Sequence, residues 1–171
     1  MYVQIDEKLI TDTLSNYREL SAQITSRVEE VLKNISSDEE LMQVVSMPGR
    51  EIADRGEHTF CDVSDVYEAF IKLKNRQALE ARMQIRELTE KQETMNRIMA
   101  CFYVMPLELQ ELLDCLYISH KNSKEGRLFY QEKYQCDRRT VVRKRTKAIK
   151  VLMSLYKDDW DKEFLNSKKY R

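Results

Sequence analysis

The sequence predicts an all-α protein in which an N-terminal helical and coiled-coil part with long helices precedes a C-terminal trihelical helix-turn-helix domain. Two observations support this class. Apolar residues recur at intervals of three and four along two long stretches, as on one face of a helix. A third stretch near the C-terminus has an apolar stripe opposite a basic one. We predict four segments: a helical region over 1–60, a linking helix over 61–104, the helix-turn-helix domain over 105–157 and a charged tail over 158–171.

The long helices are predicted from two heptad patterns. The first comprises Ile10, Leu14, Tyr17, Ser21, Ile24, Val28, Val31 and Ile35. The second comprises Ala78, Ala81, Ile85, Leu88, Gln92, Met95, Met99 and Phe102. Such helices can pair as an antiparallel hairpin or, in a homodimer, with copies of themselves, while a monomeric bundle with ordinary core faces is the third reading.

Between the two patterns the sequence predicts a short helix and a loop. Ser37 and Glu40 form a capping box, so a helix is expected from Asp38 to about Met47. Pro48 and Gly49 follow, and the residues up to Ser64 show no regular period. His58 and Cys61 lie three apart in this loop, but no second pair follows at ligand spacing, so no metal site is predicted.

Three shorter helices are predicted after residue 104. Pro106 suits the first turn of a helix whose apolar face comprises Leu109, Leu112, Leu113, Leu116 and Tyr117. The run GRLFYQEKY (126–134) predicts a second helix, with Gln135 and Cys136 as a tight connection. Asp137 is a favourable N-cap, so the third helix is expected to begin at Arg138. This order is the outline of a helix-turn-helix.

The third helix carries two opposed stripes. Val141, Ala148, Leu152 and Leu155 recur at intervals of seven, four and three and form an apolar side. Arg139, Arg143, Thr146 and Lys150 project roughly opposite to it. The pattern predicts a helix that is held on a scaffold by one side and presents basic residues on the other.

Charge is distributed unevenly along the chain, although its formal net charge is zero. Residues 135–152 hold seven Lys or Arg and one acid, and residues 121–157 hold twelve bases against three acids. Residues 1–100 carry 13 bases against 19 acids. Such asymmetry favours a polyanionic partner, with nucleic acid ahead of an anionic surface, whereas the alternative reading is a solvated helical face with no partner.

The C-terminal residues resemble a known family. MPLELQELLDCLYI (105–118) looks like the first helix of a sigma factor region 4 domain, and CDRRTV (136–141) matches the turn and the start of that family's reading helix. The charged helix before the domain is similar to small Gram-positive phage regulators of the ArpU and RinA type. Gln135 stands where the family has a turn glycine, and Arg145 where an aliphatic residue is usual. The resemblance implies transcription regulation in a phage or mobile element, with RNA polymerase as a further partner.

Double-stranded DNA is the partner that the basic helix predicts. Residue types that bind base edges or thymine methyl groups occupy its first turns, namely Arg138, Arg139, Thr140, Val142 and Arg143. Residues expected to contact phosphates are Lys144, Lys147 and Lys150 on the helix, with Lys121 and Lys124 in the preceding loop. Thr146 lies on the same exposed stripe and completes the predicted interface.

No enzymatic motif is present in the sequence, and neither a cofactor nor a catalytic residue is predicted. The three glycines stand at 49, 56 and 126 and form no phosphate-binding loop. Four unpatterned cysteines, with no signal peptide and no apolar run near 18 residues, predict a cytoplasmic protein that does not enter a membrane. Two further function classes remain open: a phage assembly or DNA-packaging protein of small-terminase type, and an adaptor that binds an acidic protein through the same fold.

Overall fold

The computed structural model describes residues 5–46, 63–120 and 122–169. All regular structure in these ranges is helical, which confirms the predicted all-α class. The α-helices of the described part are α1 (Glu7–Lys33), α2 (Asp38–Ser46), α3 (Val63–Val104), α4 (Leu107–Leu113), α5 (Ser123–Tyr134) and α6 (Arg138–Lys169). A π-helical segment, Asp114–Ile118, continues α4.

Local capping signals place α2 where the sequence predicts it. The Ser37 backbone N–H donates to Glu40 Oε2 at 2.9 Å, and the Glu40 N–H donates to Ser37 Oγ at 3.2 Å, so the capping box is confirmed. The expected helix end at Met47 and the loop with His58 and Cys61 lie outside the described residues.

The chain divides into two compact units. Unit 1 comprises Met1–Gln23 and Lys91–Arg171, and unit 2 comprises Ile24–Glu90. Because the division falls within α1 and α3, each of these helices contributes to both units. This division does not test the segment boundaries expected at residues 60, 104 and 157, which stay predictions.

Unit 1 contains two clusters of buried apolar side chains. The larger joins the start of α1, the end of α3, α4 and the middle of α6, and its members include Ile10, Leu14, Ile98, Phe102, Leu109, Leu113, Ile149 and Leu152. The smaller lies where α5 meets the π-helical segment and the first turn of α6, and comprises Leu112, Cys115, Leu116, Tyr130 and Val141. The two heptad patterns therefore meet inside the larger cluster, since Ile10 and Leu14 belong to one and Phe102 to the other.

Unit 2 has a smaller set of buried apolar side chains: Val31, Leu41, Phe70 and Ala81. Polar contacts also join α3 to the residues around the start of α2. Lys74 Nζ lies 2.7 Å from Asp38 Oδ2, and Gln77 Nε2 donates to Ser36 Oγ at 3.5 Å. The heptad residue Ala81 thus faces the interior of this unit.

Three details differ from the sequence-based expectation. Pro106 is the N-cap residue of α4, with φ −54° and ψ 133°, and the helix begins one residue later. α5 begins at Ser123, three residues before the predicted start at Gly126, because the Asn122 side chain accepts hydrogen bonds from the Lys124 and Glu125 N–H groups. α6 continues as one helix to Lys169, past residue 157, where the helix-turn-helix domain was expected to end.

Candidate nucleic-acid interface

The start of α6 is fixed by a side-chain cap. The Thr140 N–H donates to Asp137 Oδ1 at 2.8 Å, and the Val141 N–H donates to the Asp137 carbonyl at 3.2 Å. Hydrogen bonds from the side chain and the backbone of Thr140, together with the charge of Arg143, hold the pKa of Asp137 below its ordinary value. The predicted cap and helix start are confirmed, and they set which residues form the exposed first turn.

The connection between α5 and α6 turns through a left-handed residue. Gln135 has φ 45° and ψ 44°. Among the described residues, no other non-glycine residue has a positive φ. The next N–H, that of Cys136, donates to the Gln131 carbonyl at 3.2 Å, which closes the end of α5. Gln135 therefore adopts the conformation that a glycine would accept more readily.

A close backbone contact holds α5 against the π-helical segment. A Cβ atom added at Gly126 would lie 1.9 Å from the Cys115 carbonyl oxygen and 3.0 Å from the Leu116 Cα. Any larger residue would have to separate the two elements. The same carbonyl oxygen is 2.9 Å from His120 Nδ1, so the half-buried His120 side chain is hydrogen-bonded to it.

The apolar stripe of α6 is buried as predicted. Val141 is covered in the smaller cluster, while Ala148 and Leu152 are covered in the larger one and Leu155 is half-buried against it. Ile149 and Tyr156 extend the same buried surface. The helix is thus held by one side along about four turns, which leaves the opposite side for solvent or a partner.

The exposed side of α6 brings together most of the predicted interface. Its members are Arg138, Arg139, Val142, Arg143, Thr146, Lys147 and Lys150, all of them exposed. They line two shallow depressions, one bounded by Arg138, Arg139, Val142 and Arg143 and the other continuing from Arg143 to Ser154. We call this surface, from Arg138 to Lys150, the basic face.

The bases of this face make no ion pair with any acid in the described part of the chain. Elsewhere in the same ranges, arginines and lysines commonly pair with acids, as in Arg76–Glu80 at 2.9 Å and Arg86–Glu90 at 2.9 Å on α3. From Arg138 to Lys157 the sequence has eight bases and no acid, so this part of α6 offers the basic face no acid three or four residues away. The basic face therefore presents uncompensated positive charge.

Three predicted residues lie apart from the centre of the basic face. Thr140 is half-buried and supports the Asp137 cap, while Lys144 is half-buried with its Nζ 6.0 Å from the centre of the Tyr130 ring. Lys124 is exposed in the first turn of α5, since that helix begins earlier than expected. Lys121 lies outside the described residues.

Arg145 connects α6 to two other elements. Its Nε donates to the Tyr117 hydroxyl at 2.5 Å, and its Nη2 donates to Glu7 Oε1 at 2.7 Å. Its guanidinium carbon also lies 5.8 Å from the centre of the Tyr117 ring. The Arg145 head group is thus held at the edge of the core by specific polar partners.

Comparison with protein-family models, curated proteins and solved structures finds no match for this chain. Within the described ranges, no group of three or more His, Cys, Asp or Glu side chains is arranged to hold a metal ion. No helix among the described residues combines the length and the apolar character needed to cross a membrane. The assignment of function therefore depends on the basic face itself.

Proposed function

We propose that this protein binds double-stranded DNA by inserting the first turns of α6 into the major groove. The observation that carries the proposal is the basic face, a row of exposed and unpaired bases on a helix whose opposite side is buried. A major groove is about 12 Å wide and admits one α-helix. α5, the three-residue connection at 135–137 and α6 supply the order of elements that a helix-turn-helix requires.

Base recognition is assigned to the N-terminal part of the basic face. Arg138, Arg139 and Arg143 line one depression, and an arginine fork can donate two hydrogen bonds to the O6 and N7 atoms of guanine. Val142, 47% exposed in the same depression, can contact a thymine methyl group. Each good bidentate pair is worth roughly 1 to 3 kcal/mol of discrimination against the wrong base.

Phosphate contacts are assigned to the lysines and to the polar rim. Lys147 and Lys150 line the second depression with Thr146, whose hydroxyl donates to the Val142 carbonyl at 3.1 Å and can still accept a hydrogen bond. We propose phosphate contacts also for Lys144, Lys121 and Lys124. Each phosphate that a base neutralises adds about 0.9 to the slope of log affinity against log salt concentration.

Regulation of phage or mobile-element genes, with RNA polymerase as a partner, is supported only by the resemblance to sigma factor region 4 and to the ArpU and RinA regulators. A homodimer through the heptad helices is likewise part of the proposal. In unit 1, however, Ile10, Leu14 and Phe102 pack in the core. A dimer would therefore have to use other heptad positions or another face.

The test uses the whole chain and fragments of the parent genome that the purified protein selects. Arg139 and Arg143 are changed together to Ala, and the matched control changes Arg76 and Arg86 to Ala, which removes the same charge from exposed positions of α3. We expect specific binding to be lost in the first variant and kept in the control, with equal helicity by circular dichroism. Unchanged affinity in the first variant would contradict the assignment of the basic face.

The same samples separate the other function classes. A ring of eight or more subunits by sedimentation would favour an assembly protein of the small-terminase type, since such proteins also combine a DNA-binding helix-turn-helix with oligomerising helices. Absence of any binding to duplex DNA, together with capture by an acidic protein partner, would favour the adaptor.

A further inference from the structure

A second group of bases joins Lys144, which the sequence assigns to phosphate contacts, with Lys133, which it does not. Lys133, near the end of α5, places its Nζ 5.1 Å from the centre of the Tyr134 ring. Lys144 on α6 places its Nζ 6.0 Å from the centre of the Tyr130 ring. The two rings are themselves in contact, with centroids 4.4 Å apart. We call Tyr130, Lys133, Tyr134 and Lys144 the tyrosine–lysine cluster.

The cluster is continuous with the basic face. Lys144 is the residue after Arg143 and lies about 100° further round α6, between the exposed side and the buried stripe. The Tyr130 ring, over which Lys144 lies, is 2% exposed and packs in the smaller core cluster. Tyr134, which stacks on it, is 40% exposed and brings Lys133 to the surface. Positive charge therefore extends from α6 onto the end of α5.

An acid, Glu111, contacts the tyrosine–lysine cluster directly. Glu111 of α4 accepts a hydrogen bond from the Tyr134 hydroxyl, and this bond raises the pKa of Tyr134. Hydrogen bonding to Tyr134, followed by the charges nearby, raises the pKa of Lys133, so its ammonium group stays protonated at neutral pH. Lys133 and Glu111 therefore act in opposite directions on an approaching phosphate, so changing the charge of each one tests the site.

We propose that the tyrosine–lysine cluster binds a backbone phosphate of the DNA duplex whose major groove receives α6. The proposal depends on the DNA-binding function proposed above and adds Lys133 to the residues that contact DNA. Lysine is a flexible point-charge donor suited to a phosphate oxygen. A contact of this kind carries no sequence information, but it fixes the angle at which α6 lies in the groove.

The test measures the affinity of the full-length chain for a mixed-sequence duplex over a salt series. Lys133→Gln is expected to lower the salt slope by about 0.9, so that its loss of affinity between about 50 and 200 mM salt is about 3.5-fold smaller than that of wild type. Glu111→Gln, which keeps an oxygen to accept from Tyr134, is expected to tighten binding at low salt. Lys91→Gln, at an exposed position of α3, is the matched control and should leave the slope unchanged.

The pair of opposite charge changes separates a phosphate contact from a structural role. A structural defect at this place would weaken binding in both Lys133→Gln and Glu111→Gln, and thermal unfolding of each variant would reveal it. If wild type binds duplex DNA and Lys133→Gln retains its full salt slope, the phosphate site is wrong while the proposed function stands. If wild type does not bind duplex DNA, the proposed function fails and the phosphate site fails with it.

Discussion

The long helix α3 and the first twenty residues of α6 carry similar numbers of bases, but the two helices differ in whether those bases are paired with acids. α3 has seven bases and six acids, and its arginines at 76 and 86 each pair with a glutamate four residues later. The segment of α6 from Arg138 to Lys157 has eight bases and no acid. Pairs spaced i to i+4 support an exposed helix by about 0.2 to 0.5 kcal/mol each, so α3 uses its charge for its own stability. α6 gives up this support, and its burial against the cores of unit 1 compensates for the loss.

The comparison shows that a count of bases does not identify a binding surface. What distinguishes α6 is that the bases of its basic face make no ion pair within the described residues, while its apolar side is buried. The attachment of α6, through α5 and the connection at 135–137, should therefore matter as much to function as the bases themselves. Changes to this attachment provide three tests, given from the largest expected effect to the smallest.

Gly126→Ala is expected to have the largest effect. Its new Cβ would meet the Cys115 carbonyl oxygen at 1.9 Å, and that atom belongs to the backbone of the π-helical segment and cannot rotate away. We expect a loss of about 3 kcal/mol in the free energy of unfolding, although alanine alone would favour a helix by about 1 kcal/mol. Urea denaturation measures the change, and Glu132→Ala, at an exposed position of α5, is the control. A more stable Gly126→Ala protein would show that α5 does not touch the π-helical segment.

Arg145→Met and Arg143→Met compare a paired and an unpaired base on α6. Arg145 is bonded to Tyr117 and Glu7, but the Glu7 side chain is 56% exposed, so the ion pair adds little. We expect Arg145→Met to cost about 1 to 2 kcal/mol, mostly from the Tyr117 hydroxyl left without its partner, and Arg143→Met to cost less than about 0.5 kcal/mol.

Affinity for DNA should respond in the opposite order. Arg143→Met is expected to weaken binding by roughly tenfold or more, since about 1.4 kcal/mol corresponds to a factor of ten, whereas folded Arg145→Met protein should bind as wild type does. Fluorescence anisotropy below the unfolding transition of both variants makes the comparison. Equal losses of affinity in the two variants would mean that the unpaired Arg143 contributes no more to DNA binding than the paired Arg145.

The parts of this arrangement that sequence could predict are those with local causes. The start of α6 follows from Asp137 and from the stripes immediately after it, and the start of α2 follows from the Ser37 and Glu40 pair. The contacts that orient α6 are not local. Glu7 and Arg145 are 138 positions apart, and the role of Gly126 depends on a π-helical segment that no period in the sequence reveals. Lys133 was missed for a related reason, because the contact between Lys144 and the Tyr130 ring, which links the end of α5 to the basic face, depends on how α5 meets α6.

Gln135→Gly is expected to have the smallest effect and to be stabilising. A side chain in the left-handed conformation costs roughly 1 to 2 kcal/mol, and glycine removes this cost. Because glycine also raises the conformational entropy of the unfolded chain, we expect a net gain of about 0.5 to 1 kcal/mol in the free energy of unfolding. Gln135→Ala keeps the Cβ and should match wild type, which separates backbone conformation from any contact of the glutamine side chain. Thermal unfolding of the three proteins decides between these outcomes. A destabilised glycine variant would mean that contacts of the glutamine side chain, rather than the turn conformation, hold α5 and α6 at their angle. The attachment that sets α6 apart from α3 would then depend on one more specific contact.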